Sequence, residues 1–503
     1  MRHFNLPISA IAAGIVLAYA AQSMAAPWVD TQDPYLKASI TALSNGGVLK
    51  APVNTYPLMW KSISGDLNAA NASLVPEYLK YAIKHVKHAL KHSQKARSSG
   101  LKIKVASKNN DFQSFGEQYY AKSELNLFNE YIGDSWAVKT SFHIVGNANN
   151  NKNIGYQGSY AAYMLGNWVA SVDQVSQWWG PGNDSVLALS NNAIAFPAVR
   201  LTRHMAEPID LPALNLLGPL SFTTYFGQQE HSNSLQSIRL WGARVNFKPM
   251  PSLEIGLTRV AQWSGEGRPG GFSTFIKLLA GKDNAGESSG SDVTLAEEPG
   301  NQLGGIDFRF NTSLFNQPLA FYGEVIGEDE SHGLPSRSMR QWGFETSFGG
   351  RDEIYHAYAE YTDTYVEDCT QGSGVGNCAY EHHIYQDGYR RYGRSMGSTY
   401  DSDARVFTLG LSHTQAGGHS WYSKLKYMQL NADNSNLKWT LGQLVINPVS
   451  QYAQDRFQIE GGYTFPVQGG LLNVEASLYH SEIDQTGETD TDGILQASWE
   501  YRF

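Results

Sequence analysis

The sequence predicts an all-β transmembrane barrel of about eighteen antiparallel strands, preceded by a small N-terminal periplasmic α-helical region. Three observations predict it. An apolar leader is followed by no segment long and apolar enough for a spanning helix. Polar and apolar residues alternate along strand-length segments. Short connections alternate with long ones. Apolar residues are 42% of the 503 and mean hydropathy is −0.36, which excludes a helical membrane protein. Glycine (49) is abundant and tyrosine (28) is the commonest aromatic. Barrels need that mixture, with polar residues inside and aromatic girdles at both interfaces.

Taken in order, Met1-Arg2-His3 is a positive start and Ile8 to Ala21 an apolar run, and Ser23-Met24-Ala25 offers small residues to a signal peptidase. Residues 1–25 are therefore expected to be a signal peptide, cleaved after Ala25. Loss of Arg2 leaves 37 basic and 47 acidic residues, a balance that argues against nucleic acid as a partner.

Residues 26–98 read as a periplasmic helical region. Its best helix is Ser73 to Arg97, where Leu79, Ile83, Val86 and Leu90 form an apolar stripe. The opposite face carries Lys80, Lys84, Lys87, Lys91, Lys95 and Arg97 with His85, His88 and His92. It reads as a solvated basic face, with anionic headgroups or an acidic polymer as a second option. No metal or cofactor is expected.

Residues 99–503 read as the barrel, with period two from Leu101 onward. Trp136, Val138, Thr140, Phe142 and Ile144 alternate with Lys139, Ser141 and His143, and Ile306, Phe308 and Phe310 with Asp307, Arg309 and Asn311. Six short periplasmic turns are expected at residues 131–134, 248–251, 316–318, 349–352, 415–419 and 466–470. Long polar outer loops are expected at 264–303, 364–403, 431–454 and 483–492, with shorter ones near 147–153, 176–192 and 328–338. Residues 206–219, with three prolines, misfit: either a strand is misplaced there or a periplasmic excursion is real. At the end, Leu495, Ala497, Trp499, Tyr501 and Phe503 share one face of a strand. Trp499, Tyr501 and Phe503 read as a barrel C-terminal signal, which implies outer-membrane lipid and the barrel-assembly machinery as partners.

Cys369 and Cys378 lie nine apart in the loop 364–403 and are expected to form a disulfide. Reaction centres are weak. Glu328-Asp-Glu330 reads as a solvated charge cluster or a calcium contact, since a hydrolase needs two carboxylates in different environments, and His382-His383 beside Tyr385 and Asp387 could suggest a metal or a base. No enzyme activity is expected. Tryptophan beside glycine recurs in Gln177-Trp-Trp-Gly-Pro-Gly182 and Gln262-Trp-Ser-Gly-Glu-Gly-Arg-Pro269, as girdle residues or as platforms for sugar rings.

These segments, with Glu298-Pro-Gly-Asn-Gln-Leu-Gly-Gly-Ile-Asp-Phe-Arg309, Phe321-Tyr-Gly-Glu-Val-Ile-Gly-Glu-Asp-Glu330 and His382-His-Ile-Tyr-Gln-Asp-Gly-Tyr389, closely resemble the Wzi family of capsule-assembly outer-membrane proteins. The resemblance implies an eighteen-stranded barrel with a helical bundle near its periplasmic mouth. It also implies a lumen occluded by inward-folded loops. The implied role is to attach or organise capsular or other surface polysaccharide, without catalysis or export. The cysteine loop and the Lys- and His-rich helix depart from the family pattern. On this reading Tyr380, His382, His383, Tyr385 and Tyr389 are candidate polysaccharide contacts, with Arg390, Arg391 and Arg394 offering charge to an acidic polymer. The alternative is a porin-like channel for small solutes or oligosaccharides.

Overall fold

A sheet with one polar and one apolar face can satisfy both in a membrane only by closing around a polar interior. The computed structural model describes residues 26–503 except 118–119, 149–151, 230–234, 280–299, 315–316, 332–333, 367–377, 383 and 435–446. In it eighteen antiparallel strands close one barrel. They are β1 (Arg97–Ala106), β2 (Ala121–Ile132), β3 (Trp136–Ala148), β4 (Ile154–Gly155 continued by Tyr160–Leu165), β5 (Trp168–Asp173) and β6 (Ala198–Arg203). Next come β7 (Leu220–Gln229), β8 (Ile238–Met250), β9 (Leu253–Trp263), β10 (Gly300–Leu314), β11 (Gln317–Ser331) and β12 (Leu334–Phe348). The last six are β13 (Glu353–Asp363), β14 (Ala404–Gln415), β15 (Ser420–Leu430), β16 (Gln454–Val467), β17 (Gly470–Ile483) and β18 (Thr489–Arg502). Each pairs with the next, and β18 closes on β1 from Gln496↔Ala106 to Arg502↔Gly100.

The barrel is apolar outside and charged inside. Ile306 and Phe310 are 49% and 41% exposed, whereas Asp307 and Arg309 beside them are each 1% exposed. A soluble protein has the reverse distribution, so the exposed wall faces lipid. On β18 Leu495 points out and Gln496 is buried, and the rings of Trp499, Tyr501 and Phe503 stack successively at 5.7 and 5.9 Å.

All six expected short turns fall between strands at one end, and Gly166-Asn167 adds a seventh that the sequence reading missed. The 206–219 misfit is a real excursion: residues 204–219 join β6 to β7, and the carbonyl of His204 accepts from Ser62 Oγ at 3.1 Å. Two expected outer loops shrink. Most of 328–338 is strand, because β11 and β12 continue to Ser331 and Leu334, and the connection before β18 is only 484–488.

The helical region sits at the short-turn end. It comprises α1 (Pro34–Asn45), α2 (Trp60–Ala69) and α3 (Glu77–Ser93). Asp33 caps α1 by accepting from the Leu36 N–H at 2.9 Å, with Pro34 in the first turn. The expected helix 73–97 is shorter at both ends. Pro76 precedes its first residue, and the chain leaves it at Ser93 to enter β1 at Arg97, two residues before the expected barrel boundary. Its apolar stripe Leu79, Ile83, Val86 and Leu90 is buried against α1 and the plug in one core. His85 turns inward to Ser39 Oγ at 2.9 Å, while His88 and His92 contact each other outside, with ring centroids 4.6 Å apart.

Candidate functional site in the plugged lumen

Three outer connections fold into the barrel: the described part of residues 107–120, residues 174–197 and the described part of 364–403. The first is held through Ser114 and Glu117, and the second brings the Gln177–Gly182 motif inward. Trp178 and Trp179 are wholly buried there, with Trp178 against Phe115 at 5.5 Å and Trp179 against Tyr225 at 5.5 Å. They are plug residues, not platforms for a surface glycan. Glycine is required at 182 because a Cβ would collide with the Ser185 carbonyl and the Gln341 amide.

Charged residues on the strands receive this plug. The Glu360 carboxylate on β13 accepts from the N–H of Asn183 at 2.7 Å and of Ser185 at 2.8 Å. Glu324 on β11 accepts from Leu187 N–H at 2.9 Å, and Glu254 on β9 from Val53 and Asn54 N–H at 2.9 and 2.8 Å. Arg200 on β6 pairs with Asp173 on β5 and donates to Gln177 Oε1 at 2.7 Å. Arg309 on β10 pairs with Glu345 and donates to the Pro181 carbonyl at 2.7 Å. A buried backbone N–H or C=O costs free energy unless paired, so Glu360, Glu324 and Arg309 make the inward loop 174–197 tenable, and Glu254 does the same for the N-terminal segment.

The densest cluster surrounds Asp184. Its carboxylate faces Lys424 at 3.3 Å and Lys426 at 3.2 Å, accepts from Ser114 Oγ at 2.8 Å, and is bonded by the Tyr400 hydroxyl. Glu117 and Glu460 complete it, at 2.7 Å from Lys424 and 2.9 Å from Lys426. Burial alone would raise the Asp184 carboxyl, but Lys426 and Lys424 outweigh it and hold the group well below the usual carboxylate range. From the other side Lys37 on α1 reaches the Gly182 carbonyl at 2.6 Å, 4.7 Å above the Phe115 ring. Burial, then Arg309, pushes this lysine down to about 7. Helical region and outer loops thus meet within the lumen.

The structure corrects the expected polysaccharide contacts. Tyr380, Tyr385, Tyr389, Arg390, Arg391 and Arg394 are all buried. The Tyr380 hydroxyl donates to Leu187 O at 2.7 Å, and that of Tyr385 to Ser264 O at 3.1 Å. Tyr389 stacks on Tyr380. Arg390 pairs with Asp401 and Glu381, each at 2.6 Å. Arg391 donates to the carbonyls of Ile194 and Ala195 at 2.9 and 2.8 Å. Arg394 binds the carbonyls of Asn192, Asn110 and Asp111 at 2.8, 2.8 and 2.9 Å. These arginines close the plug and present no charge at the surface. Among the described candidates only His382 is not buried; His383 and Cys369 lie outside the described residues, and Cys378 is buried. The sequence reading missed Asp184, Glu117, Lys424, Lys426 and Glu460. The usable signal was a pair of charges two apart on one face of a strand, Lys424 and Lys426 on β15 flanking Leu425.

A cavity of about 50 Å³ remains beside Trp28, Tyr120, Glu130, Lys139 and Tyr160. It suits one or two waters and is too small for a sugar ring.

Fold and lumen together define a class: an outer-membrane β-barrel whose own loops and N-terminal helices fill its interior. The family model of capsule assembly protein Wzi matches residues 92–493, and the chain belongs to that family. It is 30% identical over 363 residues to an uncharacterised 55.8 kDa protein in the cps region of Klebsiella pneumoniae, covering 71% of this chain and 69% of that one. Among solved structures it resembles Wzi of Escherichia coli. That protein is described as an outer-membrane, carbohydrate-binding β-barrel involved in group 1 capsule assembly. The TM-score is 0.79 at 26% identity, over 94% of this chain and 99% of the other.

Proposed function

We propose that this protein holds or organises capsular or related surface polysaccharide at the outer face of the outer membrane, by binding and without a chemical step. The observation that carries the reading is the plug. A lumen crossed by Asp184, Lys424, Lys426 and the buried arginines serves as a rigid pedestal for outer loops rather than as a path for solutes. Family membership and the carbohydrate binding ascribed to the Escherichia coli protein support the ligand class.

Because the predicted tyrosines and arginines are internal, the contact surface moves outward. Tyr392, half-buried between Lys152 (5.2 Å) and the buried Arg391 (4.7 Å), sets an aromatic ring beside the Lys152 ammonium. Titration of the purified chain with its native polysaccharide tests this. Tyr392→Ala and Lys152→Ala should each weaken binding severalfold; unchanged binding in both rejects this part of the surface. Cleavage after Ala25, a Cys369–Cys378 bridge, and insertion by the barrel-assembly machinery among outer-membrane lipids belong to the same reading. N-terminal sequencing and non-reducing mass analysis of the mature chain check the first two.

A further inference from the structure

Among the described residues between β9 and β10 the chain forms a short helix, α4 (Phe272–Leu279). It lies outside the barrel. On β8, Arg244 and Asn246 point into the lumen, where they meet Asp307 and Glu254. Residues 239, 241 and 243 therefore point out. By the same alternation Arg259, Ala261 and Trp263 on β9, Phe226 on β7 and Gln302 on β10 also face outward. These are the residues that α4 touches. Its Phe275 ring sits 5.3 Å from Phe226, 5.6 Å from Trp241 and 5.2 Å from Trp263, and Leu278 completes the cluster.

The helix has three stripes. Phe275 and Leu278 are buried on the wall. Phe272 and Ile276, four apart and adjacent to that stripe, are 79% and 46% exposed. Ser273 and Lys277, also four apart, form an exposed polar stripe beyond them. Exposed Leu257 and Ile306 continue the outward wall of β9 and β10, so the apolar stripe is continuous with the face that lipid already covers. Two outward arginines fit the same setting. Arg259 donates to the last carbonyls of α4, Leu278 at 2.9 Å and Leu279 at 3.0 Å, and Arg239 reaches the Gly270 carbonyl at 2.7 Å while lying over the Trp263 ring. A helix end away from water needs such partners.

We propose that α4 is an interfacial helix riding on the outer wall at the outer-leaflet boundary, with Phe272 and Ile276 among acyl chains and Ser273 and Lys277 at the headgroups. An amphipathic helix of this kind lies in the membrane plane with its apolar side at the acyl boundary. Here it also shields the polar Arg259–Gln302 pair from lipid.

The test uses the full chain with Ile276→Cys, Phe272→Cys or Ser273→Cys, each labelled with a thiol-reactive bimane, and the parent chain as labelling blank. The chains are reconstituted into phosphatidylcholine vesicles with or without brominated acyl chains. Bromolipid should lower emission from positions 276 and 272 roughly twofold, with little effect of aqueous iodide, whereas position 273 should show the reverse. Iodide quenching at all three positions with no bromolipid effect overturns the proposal. So does shielding of 272 and 276 that appears only as protein concentration rises, which would assign the stripe to a second copy. Shielding only on addition of polysaccharide overturns it as well.

Discussion

Arg394→Ala tests whether the buried arginines close the plug or serve the polymer. Arg394 joins three parts of the chain: its guanidinium donates to the carbonyls of Asn110 and Asp111 in the first outer connection and to Asn192 in the second, while its own backbone belongs to the third. Hydrogen bonds from a charged donor contribute about 1.5–3 kcal/mol each. Three lost carbonyl partners, partly compensated by relaxation and entering water, should weaken closure by about 4 kcal/mol. At about 1.4 kcal/mol per tenfold, the open population then rises roughly a thousandfold. The assay is conductance in planar bilayers. The parent should be silent, Arg394→Ala should show intermittent openings, and Arg394→Lys, which keeps the charge but loses the fork, should fall between them. A variant that inserts normally, stays silent and loses polysaccharide binding would refute the reasoning and return Arg394 to the surface role read from the sequence.

Other predictions follow from the same contacts. Gly182→Ala should be destabilising by about 1–3 kcal/mol, since the Ser185 carbonyl and Gln341 must give way. Limited proteolysis should then cut within 174–197 while the barrel itself stays intact. Acidification should separate the two ends of the molecule. His204 is pushed down to about 4, by burial and then Lys61, and burial lowers His85 as well. A histidine with a depressed folded pKa supports stability above its unfolded value near 6.5, and that support is lost as pH falls toward the folded value. The shift at His204 corresponds to at most about 3 kcal/mol. Between pH 6.5 and 4, hydrogen exchange should accelerate in α2, α3 and residues 204–219. Asp184, held below the ordinary carboxylate range, should keep its plug contacts at pH 4. Equal acceleration in both regions contradicts this division.

The barrel was legible because lipid and lumen impose opposite demands on alternate residues. Asp307 between Ile306 and Phe308 already states which way each points. The turns were legible through proline and glycine at their expected spacing. The plug was not, because a loop that enters a polar lumen has the same composition as one that enters water. The 364–403 segment looked exposed for that reason, and Arg390, Arg391 and Arg394 were read as surface charge when their partners are Asp401, Glu381 and carbonyls far away in sequence. The extended β11–β12 hairpin was missed because Glu328-Asp-Glu330 reads as a loop, although its strands pair to Ser331↔Leu334. The α4 helix lay hidden inside a segment taken as one long loop, where eight residues give little periodicity to read.

The most direct test of the central claim compares cell-bound with released polysaccharide in a strain deleted for this protein and in its parent. Polymer should still be made in the deletion strain but shed into the medium, and the intact chain should restore retention. Polymer retained normally without the protein would contradict the account.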